Sequence, residues 1–369
     1  MIIKNLQLDG FRNYSGITAE FLDGINVIVG RNAQGKTNLI EAVYYLAAAR
    51  SFRTSSDKDL ITLGRDGASI KSLIVSAGRE QTLEARLFHG KRRELIANGV
   101  KLKKTSELTG RLSAVVFGPD DLDMIKDGAA IRRKLMDQCL SQLRPGYLAA
   151  LMEYGRLYEN KSRILRDYRE KPYLLDLLDD FNIRLAEESA RLIYYRSAFS
   201  LALARRASEI HKEFSGGAES LEIRYKTVGS MDPRGKKPEE LLPELLRHQG
   251  EHRGAELKSG LCLSGAHKDD LEIDISGAPA RKFASQGQVR TASVSIKLAE
   301  REIHYDDKGE YPVLLLDDVL SELDSGRQSF ILDMITEGQV MITCCDDNAA
   351  SAAGQPVIRV EGGKLCTCI

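Results

Sequence analysis

The sequence predicts an α/β protein, a mixed sheet with flanking helices, split by a mainly helical second domain. Three observations carry that expectation. A short β-branched strand, Ile25-Asn26-Val27-Ile28-Val29, runs into a glycine loop and then a helical stretch from Lys36 to about Ala48. A second apolar strand ends in two acids at Asp317-Asp318. Between them, from about Pro119 to Phe214, apolar residues recur at three- and four-residue spacing, the period of helices.

The elements follow in order. Residues 1–10 alternate through Ile3, Leu6 and Leu8 and end in the turn-like Asp9-Gly10. Residues 60–118 read as strands and turns: Ile70 to Val75, Thr82 to Phe88, a turn at Asn98-Gly99, and Ser113 to Phe117. The helical stretch is broken at Gly128, Pro145-Gly146 and Pro172, and Gly216-Gly217 closes it. Residues 226–240 read as a loop and Leu241 to Leu246 as a short helix; strand signals return from Leu261. The expected domains are 1–118 with 256–369 as the head, and 119–255 as the helical insertion. At 369 residues the chain is long enough for two domains.

Composition narrows the class. Lys+Arg and Asp+Glu are both 53, so the net charge is zero and any nucleic-acid surface must be a local patch. No apolar run reaches membrane-spanning length, and the N-terminal residues lack the apolar stretch of a signal peptide; a cytoplasmic protein is expected. The six cysteines are scattered and read as reduced thiols. Cys366-Thr367-Cys368 lacks two further ligands at zinc spacing, and His248 and His252 read as a solvated helix end.

The loop Gly30-Arg31-Asn32-Ala33-Gln34-Gly35-Lys36-Thr37 matches G-x-x-x-x-G-K-[ST] in its proper strand–loop–helix setting. Its glycines let backbone N–H groups turn toward phosphate oxygens, and the N-terminus of the next helix, with Asn38, adds partial positive charge. Lys36 is expected to neutralise the β- and γ-phosphates of ATP, and the Thr37 hydroxyl to ligate Mg²⁺. The second motif, Tyr311-Pro312-Val313-Leu314-Leu315-Leu316-Asp317-Asp318, places Asp317 to hold Mg²⁺ and Asp318 to polarise the attacking water. Alone it is weak, since many central strands end in a carboxylate.

Ser285-Gln286-Gly287-Gln288 opens a helical run, Val289 to Ile303, ahead of Asp317. Ser285, Gly287 and Gln288 at a helix N-terminus make a second anion site. One phosphate loop is already present, so the second site suits a γ-phosphate from another subunit. Order and spacing resemble the ABC-type ATPase signature, which predicts an ABC-type P-loop ATPase head and a head-to-tail homodimer around ATP. In isolation these four residues read as a polar helix cap. Ser321 and Asp324, just after the acidic pair, fall where such heads carry the D-loop that meets its mate.

The segments LQLDGFRNYSG, GRNAQGKTNLIEAVYYLA, SFRT, FGPDDLDMIKDG, IRRKLMDQCL, GAHKDDLEIDI, FASQGQVRTASVSIKLAE and LLLDDVLSELD occur in the order of the RecF family, which the chain resembles. These are bacterial recombination-mediator ATPases related to SMC-type heads. The resemblance runs nearly end to end and is weakest over 140–255. It implies an ATP-dependent homodimer that binds duplex or gapped DNA and works with RecR and RecO to load recombinase at single-strand gaps. It also implies a nucleoid-associated protein with a weak, DNA-stimulated ATPase. Arg53, in Ser51-Phe52-Arg53-Thr54, is similar in placement to an arginine loop of SMC-type heads; it reads either as a stabiliser of phosphoryl charge or as a surface arginine.

Departures from the family pattern matter too. Gly265-Ala266-His267-Lys268-Asp269-Asp270-Leu271 stands where the family has G-P-H-R-D-D-L, losing a rigid φ and a bidentate arginine. Ile342-Thr343-Cys344-Cys345 lacks the switch histidine of transporter ATPases. Asp318 replaces their usual Glu, which predicts slow turnover. At ~1.5 Å per residue, two halves of the broken helical insertion reach no more than ~100 Å, so it is a compact arm rather than a long coiled coil. Two basic clusters are candidate DNA contacts or solvated faces: Lys91, Arg92, Arg93, Lys101, Lys103 and Lys104, and Arg132, Arg133 and Lys134. A transporter motor or a small-molecule P-loop kinase is the competing reading; a kinase needs no signature helix, and a transporter motor needs no DNA.

Overall fold

The computed structural model describes residues 1–229, 231–345 and 357–368, and for Thr367 and Cys368 the backbone alone. By packing, the chain forms two units: Met1–Asp123 with Arg290–Ile369, and Met124–Val289.

The first unit opens with β1 (Ile2–Asp9), β2 (Ile17–Glu20) and β3 (Ile25–Val29), then α1 (Lys36–Ala48). There follow β4 (Gly67–Ser76), β5 (Arg79–Phe88), β6 (Glu94–Ala97), β7 (Val100–Lys101), β8 (Ala114–Phe117) and the short α2 (Pro119–Leu122). The turn between β6 and β7 has Asn98 at φ 50° and Gly99 at φ 76°. That left-handed pair is what asparagine and glycine tolerate, and it suits the twist of a hairpin.

The second unit holds α3 (Ala129–Leu143), α4 (Pro145–Asp167), α5 (Leu178–Phe214), β9 (Leu221–Lys226), α6 (Pro238–Ser259), β10 (Asp270–Ile275), β11 (Ala278–Pro279) and α7 (Ala280–Phe283). Helix α8 (Gln286–Lys308) begins in this unit. The first unit is completed by β12 (Val313–Leu316), α9 (Ser325–Met334), β13 (Val340–Cys344), β14 (Val357–Glu361) and β15 (Lys364–Cys368).

Two sheets build the first unit. An antiparallel sheet runs β2-β1-β4-β5-β6-β7, and a mostly parallel one β15-β14-β3-β13-β12-β8. In the parallel sheet β3 lies between β13 and β14, and β12 between β13 and β8. The apolar strands Val313–Leu316 and Ala114–Phe117 are buried at every residue, as both-face-covered strands must be. Helix α1 is buried almost all round, and its Leu39, Ile40, Val43 and Tyr44 join the inner residues of the antiparallel sheet in one core. No described helix is long and apolar enough to cross a membrane.

Two sequence expectations need correction. The packing division falls at 123/124 and 289/290, not at 118/119 and 255/256. The reason is pairing: β10 is hydrogen-bonded to β9 along its length, so residues 270–275 belong with the arm, which contains a three-stranded sheet. The short helix expected at Leu241 to Leu246 is in fact α6, 22 residues long despite Pro243 and Gly250. Its buried Leu241, Leu245, Gln249 and Glu256 recur at helical spacing, so packing overrides local propensity. His248 and His252 therefore lie within a helix, rings stacked at 4.0 Å, with Nδ1 of each bound to Ser264 Oγ and the His248 carbonyl, respectively.

Candidate nucleotide site

The phosphate loop is shaped from behind before any ligand arrives. Gly35 sits at φ 122°, and a Cβ there would meet the Asn13 side chain at 2.7 Å and the Tyr14 hydroxyl at 3.0 Å. Asn13 Nδ2 donates to the Gln34 carbonyl at 2.8 Å, and Tyr14 Oη to the Gly35 carbonyl at 2.9 Å. The turn between β14 and β15 adds two more: the N–H of Gly362 donates to Gln34 Oε1 at 2.6 Å, and that of Gly363 to the Gln34 carbonyl at 3.2 Å. Gly30 is pressed against β14, where a Cβ would collide with the Val360 carbonyl. The carbonyls of Gln34 and Gly35 are thus engaged from behind, by Asn13, Gly363 and Tyr14, before any phosphate is met.

Within this cradle the side chains of Lys36, Thr37, Asp317 and Asp318 converge, with Cys345 beside Lys36. Lys36 is 4% exposed; its Nζ donates to the Gly30 carbonyl at 2.8 Å and lies 3.7 Å from Asp318 Oδ2. It also meets Cys345 Sγ at 3.2 Å. Thr37 Oγ1 donates to Asp317 Oδ1 at 2.9 Å. Burial pushes the Asp317 carboxyl above its ordinary range, opposed by the hydrogen bond from Thr37. A hydroxyl and a carboxylate side by side are hard oxygen donors, and a carboxylate disfavoured by burial gains from a cation. The residues present therefore fit Mg²⁺. Beside the loop opens a cavity of about 500 Å³ lined by Gly30, Arg31, Gln34, Cys345, Arg359 and Glu361. Arg31, Asn32 and Ala33 are exposed, and Ala33 holds φ 65°.

Asp318 also sits in the left-handed region, at φ 53°. Its carbonyl accepts from Ser321 Oγ at 2.6 Å. Asp324 caps α9, accepting from the Arg327 N–H at 3.0 Å and pairing with the Arg327 guanidinium. Arg53 lies beside α1, its Nη1 donating to Asn38 Oδ1 at 2.9 Å and standing 3.6 Å from the buried Glu41. Glu41 accepts from Arg12 through both oxygens at 2.8 Å and from Ser51 Oγ at 2.5 Å. Sequence reasoning assigns no role to Arg12, Asn13, Tyr14 or Glu41, because only the fold brings residue 13 to residue 34.

In the second unit, Ser285 and Gln288 form a reciprocal cap at the start of α8. The Ser285 N–H donates to Gln288 Oε1 at 2.9 Å, and the Gln288 N–H to Ser285 Oγ at 3.2 Å. Gln288 Nε2 also donates to Glu219 at 2.8 Å. Gly287 lies in the first turn of the same helix.

The basic clusters divide. Lys91, Arg92, Lys103 and Lys104 are exposed, all four on or beside the β6–β7 hairpin, and Lys134 is exposed on α3. Arg93 is drawn to Asp57 at 3.0 Å and to Tyr45, and Lys101 pairs with Glu94. Arg132 must be corrected as a DNA contact. It is 3% exposed, grips Asp270 with Nε and Nη2 at 2.7 and 3.0 Å, and donates to the Met124 and Asp127 carbonyls. Arg133 donates to the Asp269 carbonyl at 2.7 Å.

The stretch from Gly265 to Leu271, of unassigned role in the sequence, enters a polar knot centred on the buried Asp269. Arg196, 3% exposed, donates to Asp269 and the Ala266 carbonyl at 2.7 Å, to Asp137 at 2.8 Å and to Tyr147 Oη at 3.0 Å. Asp269 also accepts from Tyr225 at 2.5 Å and Thr227 at 2.6 Å. His267 is fixed by Tyr154 Oη at 2.6 Å and the Cys262 carbonyl at 3.0 Å. The described cysteines Cys139, Cys262, Cys344, Cys345 and Cys366 are in no disulfide; the Cys368 side chain of the C-x-C lies outside the described residues.

Comparison with known proteins agrees with this architecture. The family model described as RecF/RecN/SMC N terminal domain matches residues 2–364. The DNA replication and repair protein RecF of Acetivibrio thermocellus is 38% identical over 367 residues, covering 99% of each chain. That of Listeria monocytogenes is 40% identical over 345 residues, covering 92% of this chain and 91% of its own. A solved structure of the recombination mediator protein RecF-ATPrS in the RecFOR pathway superposes with TM-score 0.93 at 33% identity, covering 100% of this chain and 98% of that one. An Smc head from Pyrococcus furiosus shares the fold at TM-score 0.55 and 18% identity, over 99% of this chain and 96% of its own. With the ABC-type head fold, the end-to-end family match and relatives covered over nearly their whole length, the chain belongs to the RecF family.

Proposed function

We propose that this chain is an ATP-dependent, DNA-binding recombination mediator that dimerises on ATP and helps load recombinase at single-strand gaps. The observation that carries the reading is the convergence of Lys36, Thr37, Asp317 and Asp318 at the mouth of a pre-shaped phosphate loop. The relative whose structure is described as RecF-ATP, 33% identical with TM-score 0.89, supports ATP as the nucleotide. Loop N–H groups, Lys36 and Asn38 bind the phosphates; Mg²⁺ held by Thr37 and Asp317 would offset charge on the phosphate oxygens. Asp318 accepts a hydrogen bond from the attacking water, and Arg53 adds positive charge from beside α1. Ser285, Gly287 and Gln288 bind the γ-phosphate held by a second copy, with Ser321 and Asp324 in the loop that meets it. Hydrolysis is slow, stimulated by DNA, and acts as a switch. Duplex or gapped DNA is held by exposed lysines and arginines of the β6–β7 hairpin and α3, and RecR with RecO are the protein partners.

Light scattering tests the reading. Asp318→Asn protein is weighed with and without ATP-Mg²⁺, beside the same protein carrying Ser285→Arg. ATP doubles the mass of the first and leaves the second unchanged. A mass that never changes while ATP is bound removes the shared-nucleotide dimer and reopens a monomeric, kinase-like role.

A further inference from the structure

We propose that Thr343, at the end of β13, is a positioning residue that sets the orientation of Asp318. This rests on the reading above, in which Asp318 meets the attacking water. Thr343 is 1% exposed and lies in the strand next to the one that carries the acids. Its hydroxyl oxygen accepts from the Asp318 N–H at 2.7 Å. That bond helps hold the backbone of a residue at φ 53°, a left-handed conformation uncommon outside glycine though better tolerated by aspartate than by most residues. The same oxygen stands 3.1 Å from Asp318 Oδ1 and 3.1 Å from Asp317 Oδ1.

A threonine hydroxyl has one proton to donate and two lone pairs. One lone pair is taken by the Asp318 N–H, and the single proton has three acceptors within reach, the two carboxylates at 3.1 Å and the Leu316 carbonyl, the farthest, at 3.5 Å. With Thr37 already donating to Asp317 at 2.9 Å, Asp317 has a second source of hydrogen bonding. Asp318 Oδ1 is within reach of the Thr343 proton, while Oδ2 is turned toward Lys36 at 3.7 Å. Thr343 therefore holds the carboxylate by its backbone and by one oxygen, and so aims the other oxygen at the niche where Lys36 meets the phosphates. The group that would otherwise rotate freely about χ2 is left with one useful orientation.

The test compares ATP turnover, and affinity for a fluorescent ATP analogue, in the wild type, Asp318→Asn, Thr343→Val and Thr343→Ser. Valine keeps the branched shape and removes the hydroxyl; serine keeps the hydroxyl. Thr343→Val is expected to lower kcat by about 10- to 100-fold, the cost of a misaimed catalytic group. KM and analogue affinity stay within about threefold, because the hydroxyl acts on the acid and not on the bound nucleotide. Thr343→Ser recovers most of the lost turnover. Should Thr343→Val not fold, Thr343→Ala is read against Thr343→Ser in the same way. If Asp318→Asn abolishes turnover while Thr343→Val matches the wild type, or serine is as slow as valine, the positioning role is overturned and the catalytic reading of Asp318 stands. If Asp318→Asn turns over as the wild type does, the catalytic reading itself has failed.

Discussion

Around Arg196 and around Lys36 the chain gathers charged side chains from distant parts of its sequence, and it treats them differently. Arg196 spends its donors on two carboxylates, a tyrosine and a carbonyl, and Asp269 accepts from an arginine, a tyrosine and a threonine. Lys36 is nearly as buried, yet its ammonium touches one carbonyl and a thiol and keeps a carboxylate at 3.7 Å. Asp318 is held in a left-handed conformation with a side chain 30% exposed. A saturated cluster has nothing left to offer a ligand, and its worth is conformational. An unsaturated one retains donors, acceptors and strain for something still to arrive. Charge and burial alone do not separate the two; the extent to which their bonds are satisfied does.

The largest expected effect tests the saturated side. Arg196→Met leaves Asp269 buried without its cation and is expected to cost about 3–5 kcal/mol of stability, read from urea unfolding. A cost within the range of a surface substitution would break the comparison. Next, Lys36→Ala is expected to weaken ATP binding about 100-fold, since a charged hydrogen-bond donor to phosphate is worth about 1.5–3 kcal/mol, while the urea midpoint without nucleotide stays put. Ligand linkage sharpens this: ATP at about 100 times its Kd should stabilise the wild type by about 2.7 kcal/mol, and the same concentration should do little for Lys36→Ala.

Smaller effects follow for the basic residues. Replacing Lys103 and Lys104 by Gln should reduce the slope of log affinity for DNA against log salt by about 0.9 for each phosphate that is no longer neutralised. Arg132→Gln should lower stability and leave that slope alone, because its guanidinium is already spent on Asp270. A separate effect concerns pH. Burial holds the His267 imidazole down to about 4, against an ordinary 6.5. The folded state resists a proton that the unfolded chain accepts below that ordinary value, so this contribution is complete above pH 6.5 and is lost as pH falls toward 4. His267→Gln should flatten the acid side of a plot of unfolding midpoint against pH; an unchanged slope would place the sensitivity elsewhere.

Much of the parallel sheet and the phosphate loop is legible in the sequence because each is encoded locally. The glycine loop, its strand and its helix lie within residues 25–48, and Val313 to Asp318 is an unbroken apolar strand closed by two acids. Thr343, Tyr14 and Glu41 are not legible as parts of the site, since nothing near them in sequence says which loop they will face. Arg132 misleads for a related reason. Three consecutive cations look like a solvated run, but on α3 the three side chains point to different sides, and Arg132 turns toward Asp270. The arm's boundary is hidden because the partner of β9 comes more than forty residues later, after α6.

The strand order of the parallel sheet has a consequence for how this protein comes to exist. Ile28, just ahead of the phosphate loop, pairs on one side with Thr343 and on the other with Ile358. During synthesis the loop's residues leave the ribosome early, but both strands that flank it, and the glycine turn that fastens Gln34, are among the last to be made. The segment Met124–Val289 is contiguous and can close on itself while translation continues. The nucleotide cradle cannot, and its apolar strand β3 must wait unpaired across nearly the whole length of the chain. A half-made copy thus has the residues of the arm and an unfastened phosphate loop, which is closed from behind only when residues 357–363 have arrived.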